Sequence, residues 1–228
     1  MARAVLILTG VEPEAAVLAR ALSLPRLSDH GFPAYGRGAT RLAATGLGAR
    51  RLAERLPKLA DGLASPLIVS AGLCGGLAPD LKAGDLVVPQ AALDGEGHCY
   101  VVSESLPGQE RRGMIATAGA VVATPEAKAK LLARTGAMAV DMESAAILAA
   151  AKDRNWPALV VRAVSDTASE RLPEDLLGLV DTDGRMRRAR TVRTFLGHPS
   201  LLPAAFALQR TSARALAALA DALRPLLA

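Results

Sequence analysis

The sequence predicts an α/β fold, a single three-layer domain in which helices cover both faces of a mostly parallel central sheet. Short apolar runs such as 4–8 and 159–164 are typical of strands that are buried on both faces. Alanine-rich segments with helical spacing separate these runs, and strands that alternate with helices favour a parallel sheet. With 228 residues, 51% of them hydrophobic, the chain can build one sizeable core.

The elements follow one another in a regular alternation. The first strand is expected at Ala4–Leu8, and a helix follows from about Pro13 to Leu22, because proline suits the first turn of a helix. The second strand is predicted at Arg41–Ala44, and the turn Thr45-Gly-Leu-Gly48 is expected after it. Further strands are predicted at Leu67–Ser70, Leu86–Pro89, Ala116–Val121 and Leu159–Val164. Further helices are predicted at Ala49–Lys58, Pro125–Thr135, Glu143–Arg154 and Leu201–Leu227.

Composition excludes several classes of protein. Two cysteines argue against a disulfide scaffold and fit a reducing compartment. The first apolar run is too short for a signal peptide or a membrane span, so a cytoplasmic protein is expected. Three Phe, two Tyr and one Trp offer little aromatic surface for stacking on nucleic-acid bases, and no nucleic-acid-binding motif accompanies the net charge of +5.

Two acids stand at predicted strand and helix ends. Glu143 opens a helix and Asp166 ends a buried apolar run, so the fold could bring both carboxyl groups to one cleft. Such a pair suits nucleoside chemistry, in which one carboxylate binds the ribose hydroxyls and the other protonates the departing base. Each acid also has a structural explanation. Asp166 could cap a following helix. Glu143 could be stabilised by the dipole of its own helix, and Asp141 could cap that same helix.

Glycines cluster in the stretch Gly72-Leu-Cys-Gly-Gly76, after a predicted strand. They could serve only a tight turn, since glycine takes positive φ without steric cost, or they could let a ligand approach the backbone closely. Cys74 has no cysteine or histidine partner at metal-ligand spacing. We therefore expect Cys74 to pack or to line a cleft, and no metal is expected.

Three motifs resemble those of the nucleoside phosphorylase and nucleosidase superfamily, in the family's order and spacing. They are the glycine-rich stretch Val69–Val88, the segment Ala139–Ile147 around Glu143, and the segment Val161–Ala168 around Asp166. The resemblance implies a nucleoside phosphorylase-like fold over residues 1–228. It also implies an enzyme that breaks the N-glycosidic bond of a purine nucleoside without a cofactor.

The resemblance also implies roles for individual residues. Asp166 matches the family's general acid, which donates a proton to purine N7, and a partly buried site is expected to keep it protonated. Ser165 could hold its orientation. Glu143 matches the ribose ligand, and Met142 matches a thioether that packs against the sugar.

Glu14 falls in register with the water-activating glutamate of the family's hydrolytic members. Alternatively, Glu14 is only an acid in an early helical turn, where the helix dipole stabilises it. Glu12 is expected to face solvent. Sequence leaves open whether water or a phosphate co-substrate accepts the sugar. Glu14 would repel phosphate, whereas the branch of the family that the tail resembles is usually phosphorolytic.

Base recognition is expected at Val121 and Val122, which align with the family's purine-binding strand end. Many members have an aromatic residue there, whereas two valines can hold a purine only by dispersion and through their backbone. Cys74, Gly75 and Ser165 are expected to complete the base site. The resemblance implies adenine as the base.

The tail resembles that of the hopanoid-associated branch, whose substrate is adenosylhopane. The similar runs are Leu172-Pro173, Val180–Arg185, Phe195–Pro199 and Leu202-Pro203. This implies release of adenine in hopanoid biosynthesis. The alternatives are a nucleosidase for methylthioadenosine or adenosylhomocysteine, a general purine nucleoside phosphorylase, and a nucleoside-binding scaffold at the membrane periphery.

Residues from about 170 to 228 are predicted to form a basic loop and a helical extension. The basic cluster comprises Arg185, Arg187, Arg188, Arg190 and Arg193. A solvated surface is its simplest explanation. A lipid-linked substrate offers another, because a basic side chain near an anionic membrane contributes about 1 kcal/mol to binding. The apolar face of the extension is expected to pack on the core or on a sister subunit, and a homodimer is expected.

Overall fold

The computed structural model describes residues 3–172, 181, 183–185 and 202–227, with side chains from 209 onward in the last range. It confirms the predicted α/β class, with one large sheet and helices packed against it. The strands are Val5–Thr9 (β1), Arg26–Leu27 (β2), Ala34–Arg37 (β3), Thr40–Ala44 (β4), Leu67–Gly76 (β5), Leu86–Val87 (β6), Ala91–Leu93 (β7), Cys99–Val101 (β8), Met114–Thr117 (β9), Ala139–Asp141 (β10) and Ala158–Asp166 (β11).

The α-helices account for most of the remaining regular structure. They are Glu12–Ala21 (α1), Leu52–Ala60 (α2), Pro125–Thr135 (α3), Ser144–Lys152 (α4) and Leu202–Leu223 (α5). Short 3₁₀ turns lie at Leu47–Ala49 and Arg224–Leu227. Helix α3 shows how the sequence sets these boundaries: Thr124 caps its first turn by accepting from the N–H of Ala127, and Gly136 ends it in the left-handed conformation.

The sheet is mixed, so "mostly parallel" describes its centre better than its edges. The strand order is β2-β3-β4-β1-β5-β10-β9-β7-β8, and β11 pairs with β5 and β6. The pairs β1–β4, β1–β5, β5–β11, β9–β10 and β7–β9 are parallel. Strands β2, β3, β6 and β8 add antiparallel pairs, as does β10 against β5. Short connections such as the one between β3 and β4 allow only antiparallel pairing.

Strands β5 and β11 form the axis that positions the site. They run parallel over most of their length, with Val161 opposite Ala71. The predicted strand Leu67–Ser70 was too short, because β5 continues through the glycines to Gly76. The predicted strand Ala116–Val121 was too long at its carboxyl end, because β9 stops at Thr117. Val121 therefore lies in the loop that follows β9.

Helix α5 packs on the core, one of the two positions expected for its apolar face. Its buried residues within the side chains described are Ala215, Leu216, Leu219, Ala220 and Leu223. The helix contacts β11, α1 and β5. Among the described helices, none combines the length and the apolar character needed to cross a bilayer.

Candidate active site

One pocket of about 270 Å³ contains every site residue that the sequence predicted. It lies where the carboxyl ends of β1, β5, β10 and β11 meet, as expected for an α/β sheet. The predicted residues that line it are Glu14, Cys74, Gly75, Val121, Val122, Met142, Glu143, Ser165 and Asp166. The two acids identified at strand and helix ends, Glu143 and Asp166, thus face the same cavity.

Glu143 stands at the N-cap position of α4, but its side chain does not cap the helix. Its Oε1 accepts a hydrogen bond of 3.1 Å from the backbone N–H of Gly48. Asp141 serves as the cap, because its Oδ2 accepts from the backbone N–H of Ser144 at 3.1 Å. The carboxyl group of Glu143 is therefore not needed by its own helix and lines the pocket.

A fully buried arginine lies beneath these acids. Nη2 of Arg162 is 2.6 Å from Oδ2 of Asp141 and 3.8 Å from Oε2 of Glu143. It also donates to the hydroxyl oxygens of Ser70 at 2.9 Å and Ser144 at 3.1 Å. Burial opposes the charge of Arg162, but the neighbouring carboxylates outweigh that effect and raise its pKa. Arg162 thus remains a cation and anchors the acidic side of the pocket.

This acidic side holds protons more tightly than free carboxyl groups do. Burial raises the pKa of Glu143 to about 8, although the positive charge of Arg162 opposes the shift. The charges of Asp141 and Glu14 raise it further. One arginine faces three carboxyl groups, so at neutral pH the cluster favours keeping a proton.

Glu14 lies in the first turn of α1 and reaches across to the glycine-rich part of β5. Its Oε1 accepts a hydrogen bond of 3.1 Å from the backbone N–H of Leu73. The side chain is densely surrounded, yet it keeps part of its surface open to the pocket. Burial raises its pKa, while Arg162 and the Leu73 N–H lower it. A carboxyl group with a raised pKa is suited to accept a proton near neutral pH.

Asp166 ends β11 just beyond an irregularity in the strand pairing, where the register with β5 shifts between Val164 and Asp166. Its Oδ1 accepts from the hydroxyl of Ser165 at 2.6 Å, which supports the orienting role expected of that serine. Asp166 does not cap a helix, because none begins within residues 167–172. The N–H of Thr167 donates to Glu170 at 2.7 Å instead.

The sequence did not predict the cation beside Asp166. Nζ of Lys128, on α3, is 2.5 Å from Oδ2 of Asp166, and both side chains are buried. One carboxyl oxygen of Asp166 thus accepts from the Ser165 hydroxyl, and the other contacts the Lys128 ammonium group.

The side of the pocket assigned to the base is aliphatic. Val121 is 43% exposed and Val122 is partly buried, and no aromatic residue is among the described residues that line the pocket. Burial raises the pKa of the Cys74 thiol, which keeps it neutral and unreactive. Cys74 lines the cleft, as the sequence suggested.

The glycines of β5 provide room for the acids. A β-carbon at Gly72 would lie 2.9 Å from Oε2 of Glu14 and 2.6 Å from Nη1 of Arg162. A β-carbon at Gly75 would lie 3.2 Å from Oδ2 of Asp166. Backbone and acids therefore approach closely here, so the cluster does more than form a turn.

Sequence reasoning missed two charged residues at the site. A signal existed for Arg162, because an arginine interrupts the apolar run Leu159–Val164. The signal for Lys128 was weaker: it precedes the buried Leu131 by three residues, a spacing that places both on the inner face of α3.

Part of the tail docks beside the pocket. The carbonyl oxygen of Gly184 accepts from the N–H of Glu12 at 2.8 Å, at the start of α1. Arg185 donates to Glu12 at 3.2 Å, so Glu12 is paired rather than solvated as expected. Asp183 accepts two hydrogen bonds from Arg51, at 2.9 and 2.7 Å. The rest of the basic cluster, Arg187, Arg188, Arg190 and Arg193, lies outside the described residues, as do the run 195–199 and parts of the runs 172–173 and 180–185.

Comparison with known proteins identifies the family of the chain. The profile of the phosphorylase superfamily matches residues 4–110 and 104–197. The futalosine hydrolase of Streptomyces coelicolor is 29% identical over 224 residues, with 79% of this chain and 94% of the relative covered.

Solved structures share the fold. The futalosine hydrolase of Helicobacter pylori superposes with a TM-score of 0.71 at 18% identity, covering 100% of this chain and 98% of the other. The 5'-methylthioadenosine/S-adenosylhomocysteine nucleosidase of Neisseria meningitidis, in complex with methylthio-immucillin-A, gives 0.71 at 20% identity, with 99% and 98% covered.

Proposed function

The chain belongs to the phosphorylase superfamily, and from that premise we propose that it is a nucleosidase, an enzyme that cleaves the N-glycosidic bond of an adenine nucleoside with water. The observation that carries the proposal is the placement of three carboxyl groups around one pocket. Glu14, Glu143 and Asp166 come from three separate elements and line the same cavity.

The three acids divide the chemistry among them. Asp166 donates a proton to N7 of the purine, which draws electrons from the breaking bond and lets adenine leave as a neutral base. Glu143 binds the 2′ and 3′ hydroxyls, with Met142 packed against the sugar. Glu14 accepts a proton from the water whose oxygen bonds to C1′ of the oxocarbenium-like ribose. Adenine and the free sugar are the products.

Water is the better acceptor for this pocket. Phosphate is an anion and needs cations or N–H donors, and no lysine or arginine is among the described residues that line the pocket. Glu14 would repel phosphate from the ribose face. The Streptomyces relative is named a hydrolase, which agrees with this choice.

For the group at the ribose 5′ position we propose the hopane skeleton, so that adenosylhopane is the substrate and the reaction serves hopanoid biosynthesis. The similarity of the tail to the hopanoid-associated branch supports this substrate. A second candidate is futalosine, because a relative of that name matches over 94% of its own length. Methylthioadenosine is a third, since similar folds carry that activity in their names.

Turnover with defined substrates tests both the proposed reaction and the proposed substrate. Purified protein is incubated with adenosylhopane, futalosine or methylthioadenosine, each with and without phosphate, and the base and sugar products are identified by mass. We expect adenine and unphosphorylated sugar from adenosylhopane. A sugar phosphate would establish phosphorolysis instead. If no substrate releases its base, the chain is a nucleoside-binding scaffold at most.

We further propose that the protein acts in the cytoplasm as a homodimer that meets a lipid-linked substrate at the membrane surface. The arginine-rich composition of the tail supports this contact. Co-sedimentation with anionic liposomes at low and high salt tests it, using Arg187, Arg188 and Arg190 replaced by Gln. Wild-type protein that ignores such liposomes at low salt would leave the arginines as an ordinary surface.

A further inference from the structure

The lysine beneath the proposed general acid uses its whole hydrogen-bonding capacity on one short segment. Nζ of Lys128 donates to Oδ2 of Asp166 at 2.5 Å, to the carbonyl oxygen of Thr167 at 2.6 Å and to that of Glu170 at 3.0 Å. The side chain is fully buried. An ammonium group has three N–H donors, so each of them has a partner.

We propose that Lys128 is a positioning residue that holds Asp166 in place and stabilises the carboxylate that forms when the proton moves to N7. The inference rests on the proposed function and extends it. No role was assigned to this lysine by the sequence, and it acts through Asp166 rather than on the substrate.

The charge of Asp166 changes during the reaction. Transfer of the proton turns a neutral acid into a carboxylate inside a buried site, where an unpaired charge is costly. Lys128 is already in place to pair with that charge, so the transition state gains more than the protonated ground state does. Asp166 and Lys128 are 5% and 0% exposed, so water screens their attraction little.

Other titratable groups surround the pocket, and their effects must be separated from that of Lys128. They are Glu14 on α1, Cys74 on β5, Asp141 and Glu143 at the end of β10, and Arg162 on β11. Lys128 is the cation that contacts Asp166 among the described residues. A change at Lys128 therefore acts on the base-side acid first, whereas Arg162 acts on the ribose-side acids.

The test compares Lys128→Met with Lys130→Met, a matched control on the exposed face of the same helix. Rates are measured from pH 5 to 9 on a soluble adenine nucleoside and on 4-nitrophenyl riboside, whose leaving group needs no proton. For Lys128→Met we expect a loss of about ten- to a hundredfold on the adenine nucleoside. The nitrophenyl riboside should be cleaved within about twofold of wild type, because its leaving group does not use acid catalysis.

Equal losses on both substrates would overturn the proposal. If wild type does not cleave the nitrophenyl riboside, Lys128→Gln decides, because it keeps N–H donors without the charge, and a wild-type rate on the adenine nucleoside in that variant would show that the charge is not used. Lys128→Gln also serves if the Met variant does not fold. If neither folds, the lysine is structural and the proposal is wrong. Failure of the wild type to release adenine would instead reject the proposed function.

Discussion

Gly10 leaves the space that the carboxyl group of Glu143 occupies. A β-carbon at Gly10 would lie 2.8 Å from Cδ of Glu143 and 2.9 Å from its Oε1. The carboxyl group also accepts a hydrogen bond from the N–H of Gly48, 95 residues earlier in the chain. The end of β1 therefore determines where the ribose-side acid can lie, although it contributes no side chain to that contact.

Replacing Gly10 with Ala should displace Glu143 without removing it. The added methyl group meets a buried carboxyl group that cannot move without breaking its hydrogen bond to Gly48. We expect KM for ribosides to rise about tenfold or more, because a shift of a positioned group by an ångström is costly. Steady-state kinetics measures this. Gly95→Ala, at a site with open space around it, is the control and should behave as wild type. An unchanged KM would show that Glu143 adapts freely.

Replacing Glu143 with Gln tests the ribose contact. The variant should bind ribosides far more weakly, by about tenfold to a hundredfold, since the amide keeps only one of the two oxygens that can accept from the vicinal hydroxyls. Analogues lacking the 2′ and 3′ hydroxyls should lose little further affinity. Binding of both ligands is measured by calorimetry on wild type and variant. Equal losses for both would mean that Glu143 supports the helix and not the sugar.

Replacing Asp166 with Asn tests the general acid. The amide keeps the shape and the contact with Ser165 but has no acidic proton, so turnover should fall by ~10² to 10⁴-fold with a modest effect on substrate binding. Single-turnover rates and substrate affinity are measured separately. Ser169→Ala, at an exposed position in the loop after β11, is the control. Near-normal turnover in a folded Asp166→Asn protein would remove Asp166 from the chemistry.

The sequence was sufficient for the buried strands and insufficient for the short ones. Strand β1 is apolar up to its last residue and β11 is apolar up to Val164 except for Arg162, and such runs can be recognised without a structure. Strands β2, β7 and β8 have only two or three residues, too few to display a period. Strands β2 and β8 pair antiparallel with their neighbours in the chain, β3 and β7, but runs this short cannot be recognised as strands, so the antiparallel edges could not be predicted.

The site was partly predictable for a similar reason. Acids that follow strands, such as Asp166, gather at one edge of a sheet, and sequence order alone places them there. The partners of those acids depend on tertiary packing. Lys128 reaches Asp166 from a helix 38 residues away along the chain, and nothing local to either residue indicates that distance.

Replacing Glu14 with Gln tests the acceptor. The amide oxygen can still accept the hydrogen bond from the Leu73 N–H, so the local structure should persist while the base is lost. We expect activity without phosphate to fall by ~10² to 10⁴-fold. Rates are measured with and without phosphate, and Glu12→Gln, two residues away and paired with Arg185, is the comparison. Activity that needs phosphate and survives in the Glu14 variant would make the hydrolytic proposal wrong.

The raised pKa of Glu143 predicts how stability depends on pH. Burial raises this pKa from 4.5 to about 8 in the folded protein. A carboxyl group that binds its proton more tightly when folded gives its full stabilisation below pH 4.5, and that stabilisation is lost as pH rises towards 8. The free energy of unfolding of wild type, from urea denaturation, should therefore fall between pH 5 and pH 8.5. In Glu143→Gln, which cannot titrate, the fall should be smaller, with the remainder due to groups such as Glu14, whose pKa is also raised. Glu110→Gln, an exposed acid, should keep the wild-type slope. Equal slopes for wild type and Glu143→Gln would mean that Glu143 is ionised throughout this range.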